Sequence, residues 1–116
     1  SDGERQKVMI AKALAQQTPL IILDEPTAFL DLPSRIEILY LLKRLAEKEN
    51  KTIILSTHDV EQSLSVADKL LLFIDDNIKF ASISEAIERG DVAQLFESRG
   101  VVFDKERGVF VPKQNR

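Results

Sequence analysis

Short apolar runs alternate with amphipathic stretches along this chain. Residues 20–23 and 52–55 are continuous apolar runs, a pattern typical of strands that are buried on both faces of a parallel sheet. Between them, apolar residues recur at helical spacing through residues 33–49. A helix over residues 4–17 is expected to end at Thr18-Pro19, because proline cannot continue the helical hydrogen-bond ladder.

The second half of the chain continues this alternation with shorter elements. Its predicted elements are helices at 60–67, 84–89 and 91–98 and strands at 69–74, 78–81, 101–103 and 109–111. The last two strands flank a polar loop, which favours a hairpin. The pattern therefore predicts an α/β fold with a parallel core and a small C-terminal β-hairpin.

Two adjacent carboxylates, Asp24 and Glu25, follow the first apolar run directly. Ligands of α/β folds bind at the carboxyl edge of the sheet, and successive side chains of an extended chain point in different directions. One carboxylate could therefore face a Mg²⁺ ion while its neighbour faces an attacking water. The alternative is that both acids simply end a strand and begin a turn.

The chain opens with Ser1, Asp2, Gly3 and Glu4 at the start of the first predicted helix. A helix N-terminus presents unpaired backbone N–H groups and the positive end of the helix dipole, which together bind phosphate. Ser1 adds a hydroxyl, and Gly3 allows close approach of the backbone. An ordinary N-cap is the alternative explanation.

His58, the chain's only histidine, follows the second apolar run. Parallel neighbouring strands would bring it close to Asp24 and Glu25. An imidazole at that position could donate a hydrogen bond to a γ-phosphate oxygen and hold an attacking water. A lone histidine is more often an ordinary surface or core residue, so the hypothesis depends on its neighbours.

Taken together, these segments resemble the ATP-binding-cassette (ABC) ATPase family. The matching segments, in order, are residues 1–6, 20–26, 28–31 and 58–59. The resemblance is strong over residues 1–75 and implies the C-terminal part of a nucleotide-binding domain, with residues 76–116 as a C-terminal extension. It also implies a P-loop NTPase-like parallel sheet with flanking helices.

The resemblance implies a role for each matching residue. Asp24 corresponds to the Walker B aspartate, which holds Mg²⁺ mostly through water, and Glu25 to the catalytic glutamate, a general base or water-orienting group. Asp31 corresponds to the D-loop aspartate that couples two subunits, and His58 to the switch histidine.

The opening residues correspond to the family's signature loop. Ser1, Gly3 and Glu4 match that loop, which contacts the γ-phosphate of the ATP bound by the opposite subunit. Asp2 and Glu4 depart from the usual Leu-Ser-Gly-Gly-Gln pattern, and the leading Leu is absent. Because extra carboxylates beside phosphate are electrostatically unfavourable, these departures put the strength of the signature contacts in doubt.

No Gly-x-x-x-x-Gly-Lys-Ser/Thr motif occurs in these 116 residues. The fold is therefore expected to be incomplete, without the phosphate-loop strand, and the chain alone is expected to be inactive as an ATPase. In the family's sheet that strand lies between the strands predicted at 52–55 and 69–74. We expect the exposed edges to re-pair or to promote self-association.

The resemblance further implies an ATPase subunit that powers a membrane transporter. Residues 81–111 are most similar to importers of iron-siderophore, heme or cobalamin complexes. The implied cofactors are ATP and Mg²⁺. The implied partners are a second ATPase subunit in a homodimer and integral-membrane permease subunits at the cytoplasmic face of the plasma membrane. The alternatives are an ABC ATPase that acts on DNA or ribosomes and a non-enzymatic cassette remnant used for interaction.

Amino-acid composition does little to decide between these functional alternatives. A length of 116 residues suits one small domain, and 44% hydrophobic with 30% charged residues is typical of a globular protein. The net charge of −3 gives no reason to expect nucleic acid as a partner. The absence of cysteine excludes disulfides and thiolate metal sites.

Overall fold

The computed structural model describes residues 2–114. The chain divides into two compact units, one up to Val66 and one from Ala67 onward. The first unit contains all the predicted site residues that the structure describes. Its elements are α1 (Asp2–Ala15), β1 (Leu20–Asp24), α2 (Leu32–Lys48), β2 (Thr52–Ser56) and α3 (Val60–Leu64).

Strands β1 and β2 form a two-stranded parallel sheet. The register pairs Leu20 with Thr52 at one end and Asp24 with Ser56 at the other. Both strands therefore end at the same edge, which confirms that the two polar loops leave the sheet side by side. The sequence placed each of these elements to within two residues, apart from the shorter α3.

The core of the first unit lies between this sheet and helices α1 and α2. Its buried members are Ile10, Leu30, Ile38 and Leu42, and partly buried side chains from both strands and both helices pack against them. Apolar residues repeat at helical spacing on each helix, so one stripe can face the strands while the other face stays polar.

The expectation that β1 and β2 are buried on both faces is wrong for the part of the chain described. Ile21 is 5% exposed, but its neighbour Ile22 on the opposite face is 70% exposed, and Ile54 on β2 is 52% exposed. The core cluster covers one face of the strands, and the apolar side chains of the other face remain in contact with solvent.

Polar caps set the starts of two helices in the first unit. Asp31 accepts a hydrogen bond from the backbone N–H of Ser34 at 3.0 Å, and Pro33 lies in the first turn of α2. Asp59 accepts from the backbone N–H of Gln62 at 3.3 Å and caps α3. The residues that end the strand loops therefore also begin the following helices.

Over residues 67–114, the second unit contains two hairpins and two short helices. In chain order its elements are β3 (Lys69–Ile74), β4 (Asn77–Ser82), α4 (Ile83–Glu88), α5 (Asp91–Ser98), β5 (Val101–Asp104) and β6 (Val109–Pro112). Strand β3 pairs antiparallel with β4, and β5 with β6, which confirms the predicted C-terminal hairpin. Ser82 and Glu85 form a capping box at the start of α4.

Strands β2 and β3 belong to different sheets, and each has a single partner strand among residues 2–114. Re-pairing of the exposed strand edges, or self-association through them, stays a prediction. None of the described helices is both long and apolar enough to cross a bilayer.

Candidate functional site

The carboxyl edge of the β1–β2 sheet brings together the two predicted catalytic side chains and the predicted metal-binding carboxylate. Asp24 is the last residue of β1, Glu25 follows it, and His58 lies two residues beyond β2. His58 Nε2 is 2.7 Å from Glu25 Oε1, a hydrogen-bonding distance. The imidazole is 84% exposed and the carboxylate 39% exposed, so both remain accessible to a ligand.

Ser56 joins the two carboxylate residues through one oxygen atom. Its Oγ donates to Asp24 Oδ1 at 2.6 Å and accepts from the backbone N–H of Glu25 at 2.9 Å. The same N–H also lies 3.1 Å from the Ser56 carbonyl oxygen. These bonds tie the turn after β1 to the end of β2.

Glu25 has left-handed backbone, with φ of 44°. For a non-glycine residue this conformation costs about 1–2 kcal/mol and persists only where surrounding contacts impose it. Here the turn after β1 aims the carboxylate at His58 rather than continuing the strand. Strained backbone at this position is typical of a functional site.

A shallow depression of about 160 Å³ lies beside the Glu25–His58 pair. Its lining includes Thr27, Arg35 and Asp59. Arg35 Nη1 is 3.4 Å from Asp59 Oδ2, and this ion pair connects helix α2 to the residue after His58. The loops of both strands are thereby fixed around one concave surface.

The predicted signature and D-loop residues lie at the first turns of α1 and α2. Gly3 and Glu4 are inside α1, and a Cβ added at Gly3 would lie 3.8 Å from Ser34 Oγ. Asp31 caps α2, and the Ser34 side-chain and backbone hydrogen bonds hold the pKa of its carboxyl below the ordinary value. Ser1 lies outside the described residues.

The Asp24 carboxylate is the predicted cation ligand at this edge. No group of three or more His, Cys, Asp or Glu side chains that could hold a metal ion occurs among residues 2–114. Mg²⁺ usually takes one or two protein carboxylates and fills its octahedron with water and phosphate oxygens. A single exposed Asp24 at a strand end fits that donor set, provided that a nucleotide supplies the other ligands.

Comparison with known proteins shows which family this chain resembles. The family model described as ABC transporter matches residues 1–28. An uncharacterized ABC transporter ATP-binding protein of Methanocaldococcus jannaschii is 40% identical over 99% of this chain and 40% of its own length. The petrobactin import ATP-binding protein of Bacillus anthracis is 36% identical over 98% of this chain and 43% of its own length.

Solved structures agree with these relatives. A metal-chelate type ABC transporter in an inward-facing conformation matches 97% of this chain and 47% of that chain, with a TM-score of 0.78 and 35% identity. A dimeric ATP-binding cassette bound to ADP and Pi in a post-hydrolysis state matches 72% of this chain and 36% of that chain, with a TM-score of 0.60 and 33% identity.

The chain belongs to the ABC ATPase family. It spans about two fifths of the length of the first curated relatives that it matches. The P-loop NTPase-like fold class is confirmed, with an incomplete parallel sheet and a C-terminal hairpin.

One residue of the candidate site was not identified from the sequence. Ser56 ends β2 just before the loop that carries His58, and its hydroxyl contacts the Asp24 carboxylate and the Glu25 backbone. The strand register could have indicated this role of Ser56. If β1 and β2 are parallel neighbours of equal length, their last residues, Asp24 and Ser56, lie opposite each other. Asp2 and Glu4 also have a simpler structural role, since acids in a first helical turn interact favourably with the helix dipole.

Proposed function

We propose that this chain forms the part of an ABC ATP-binding subunit that places catalytic groups at the γ-phosphate of ATP. The observation that carries the proposal is the 2.7 Å contact between Glu25 Oε1 and His58 Nε2, beside Asp24 at one sheet edge. Two side chains that can touch can also reach one water and one phosphate oxygen. In-line attack of water on a phosphoryl group needs one group that holds the water and one that contacts a phosphate oxygen, and this pair would supply both.

Each side chain has a separate role in the proposed hydrolysis. Glu25 orients the attacking water or accepts its proton, which requires a water within hydrogen-bonding distance of its carboxylate. The His58 imidazole donates to a γ-phosphate oxygen and holds the water in line. Asp24 orients the water shell of Mg²⁺, whose charge, when the ion is bound, offsets that developing on the phosphate oxygens.

The signature and D-loop residues would serve a second copy of the subunit. Ser1, Gly3 and Glu4 contact the γ-phosphate of the partner's ATP, and Asp31 couples the two sites. The dimeric cassette among the matching structures supports this arrangement. A Cβ built on Gly3 would lie 3.8 Å from Ser34 Oγ, so the first turns of α1 and α2 are next to each other.

A role in solute import is the finer part of the proposal. The relative from Bacillus anthracis is named for petrobactin import, and a Bacillus subtilis relative for siderophore transport. We infer an iron-chelate-type solute, integral-membrane permease partners and a peripheral position at the cytoplasmic face of the membrane. Affinity purification of the full-length protein from membranes tests this, because permease subunits should co-purify. Nucleic acid in their place would contradict it.

The catalytic test is turnover by the full-length protein. Glu25→Gln keeps the size of the side chain and removes the base, so we expect kcat to fall by about 100-fold or more. Glu47→Gln is the matched control, an exposed acid on α2 that should leave turnover unchanged. The 116-residue chain alone should show no Mg-dependent turnover, because it contains no phosphate-binding lysine loop.

Two results would contradict this proposal. The first is a Glu25→Gln protein that retains turnover within about threefold of the parent, since a general base contributes about 100-fold or more. The second is Mg-dependent hydrolysis by the 116-residue chain itself that Glu25→Gln abolishes.

A further inference from the structure

Ser56 makes two bonds that a serine hydroxyl can make at the same time. A hydroxyl has one hydrogen to donate and two lone pairs to accept. Ser56 Oγ uses the hydrogen toward Asp24 Oδ1 at 2.6 Å and a lone pair toward the Glu25 N–H at 2.9 Å. A single atom thus connects the proposed metal-binding carboxylate to the backbone of the proposed base.

Burial does not explain these bonds. Ser56 and Asp24 are both exposed, so water could satisfy their polar groups if the protein did not. The backbone register of β1 and β2 also needs no hydroxyl, because ladder bonds use main-chain atoms alone. What the hydroxyl adds is orientation, since it fixes one carboxylate oxygen and one strained turn.

The strained turn at Glu25 also supports an orienting role for the Ser56 hydroxyl. Glu25 is held at a φ of 44°, where its side chain meets His58. Its N–H is shared between the hydroxyl and the carbonyl oxygen of Ser56. If the hydroxyl is lost, the N–H keeps one acceptor, and Asp24 loses a bond of the charge-assisted kind, which is about twice as strong as a neutral one.

We propose that Ser56 is a positioning residue of the ATPase site. Its hydroxyl holds Asp24 by one oxygen, which leaves the other for the water shell of Mg²⁺, and it holds the Glu25 turn in the conformation that faces His58. This inference rests on the proposed function. It assigns Ser56 no contact with nucleotide.

The experiment compares Ser56→Ala and Ser56→Thr in the full-length protein. Ser56→Ala should lower kcat by about tenfold or more, the equivalent of one charged hydrogen bond, with KM for ATP changed less than about twofold. Ser56→Thr keeps a hydroxyl and should remain within about threefold of the parent, because Thr has the same donor and acceptor inventory. Ser65→Ala is the control, since Ser65 Oγ donates at 2.8 Å to Gln62 O away from the carboxylates and should leave kcat unchanged.

A second readout does not depend on turnover. Electron paramagnetic resonance of Mn²⁺ with ATP measures cation affinity in equilibrium binding. We expect Ser56→Ala to weaken it by about three- to tenfold and Ser56→Thr to restore it, because the fixed carboxylate is lost and regained. A merely structural serine would lower the Tm without changing metal affinity. If Ser56→Ala fails to fold, Ser56→Cys, whose thiol is a weak donor, should show the same losses.

The outcomes separate this inference from the function on which it rests. If the parent lacks hydrolysis sensitive to Glu25→Gln, the proposed function falls and the role of Ser56 falls with it. If the parent is active but Ser56→Ala retains parental kcat and Mn²⁺ affinity, the positioning role alone is overturned. A kcat loss that Ser56→Thr does not rescue would also overturn it.

Discussion

The two compact units place left-handed backbone at different kinds of residue. Among residues 2–66, every position with such backbone is a non-glycine: Gln17, Glu25, Phe29 and Asn50, with φ between 44° and 65°. Among residues 67–114, these positions are Asp75 and the three glycines Gly90, Gly100 and Gly108. Glycine adopts this conformation without strain, whereas most other residues pay about 1–2 kcal/mol.

Residue type accounts for part of this difference. Asn50 and Asp75 belong to the two non-glycine types that tolerate left-handed backbone. Gln17, Glu25 and Phe29 do not, and two of them lie in the loop that follows β1. The second unit uses glycine where only a turn is needed. In the first unit, Glu25 has strained backbone that glycine would relieve. Glycine there, however, would remove the carboxylate that contacts His58.

The largest effect that would test this contrast comes from Glu25→Gly in the full-length protein. Glycine relieves the backbone strain and removes the carboxylate, so stability should be unchanged or rise by up to about 1 kcal/mol. Turnover should nevertheless fall by about 100-fold or more. Denaturant unfolding and steady-state ATPase assays measure the two quantities.

Gln17→Gly is the matched control for this prediction. Gln17 follows α1, a position where glycine commonly ends helices, and it takes no part in the proposed site. It should show the same gain in stability with turnover unchanged. A marked loss of stability in Glu25→Gly would mean that the left-handed turn is not strained, and the contrast would fail.

The reverse substitution in the second unit should have a smaller effect. Gly100 has φ of 78°, and a Cβ added there would meet nothing within 4 Å. Gly100→Ala should therefore lower stability by about 1–2 kcal/mol through backbone strain alone. Gly3→Ala is the comparison, because Gly3 lies in α1 and an added Cβ would be at ordinary contact distance from Ser34. Alanine there should be neutral or stabilising by up to about 1 kcal/mol. Equal losses in both variants would contradict the role of φ.

Periodicity was sufficient to predict most of this fold. The runs at 20–23 and 52–55 became β1 and β2, and helix α5 has the predicted ends. Periodicity could not show which face of each strand is covered, since that depends on the elements packed against it. Ile22 and Ile54 were therefore wrongly expected to be buried.

The candidate site was predictable for a topological reason. Parallel neighbouring strands end at a common edge, so Asp24, Glu25 and His58 had to be near one another once the strands were placed. The sequence did not reveal the left-handed turn at Glu25 or the bonds of Ser56. Those depend on the register of the strands and on backbone angles, which a polar loop of this composition does not specify.

The smallest predicted effect compares the helix caps of the two units. Hydrogen bonds from the Ser34 side chain and backbone lower the pKa of Asp31, and those from the Ser82 backbone and side chain, followed by the charge of Arg89, lower the pKa of Glu85. A carboxyl whose pKa is lower in the folded state contributes stability above its unfolded pKa. That contribution disappears as the pH falls through the folded value.

Asp31→Asn and Glu85→Gln keep a cap acceptor but cannot titrate. We therefore expect the Tm of each variant to fall less than the parent's as the pH is lowered from 7 to about 3, through and below the ordinary carboxyl values. Both carboxyls are exposed at helix starts, so each difference should be small. A Tm curve parallel to that of the parent would show that the cap is equally strong in both protonation states. In that case the hydrogen bonds of the caps, and not the charge of their carboxylates, would determine where both helices begin.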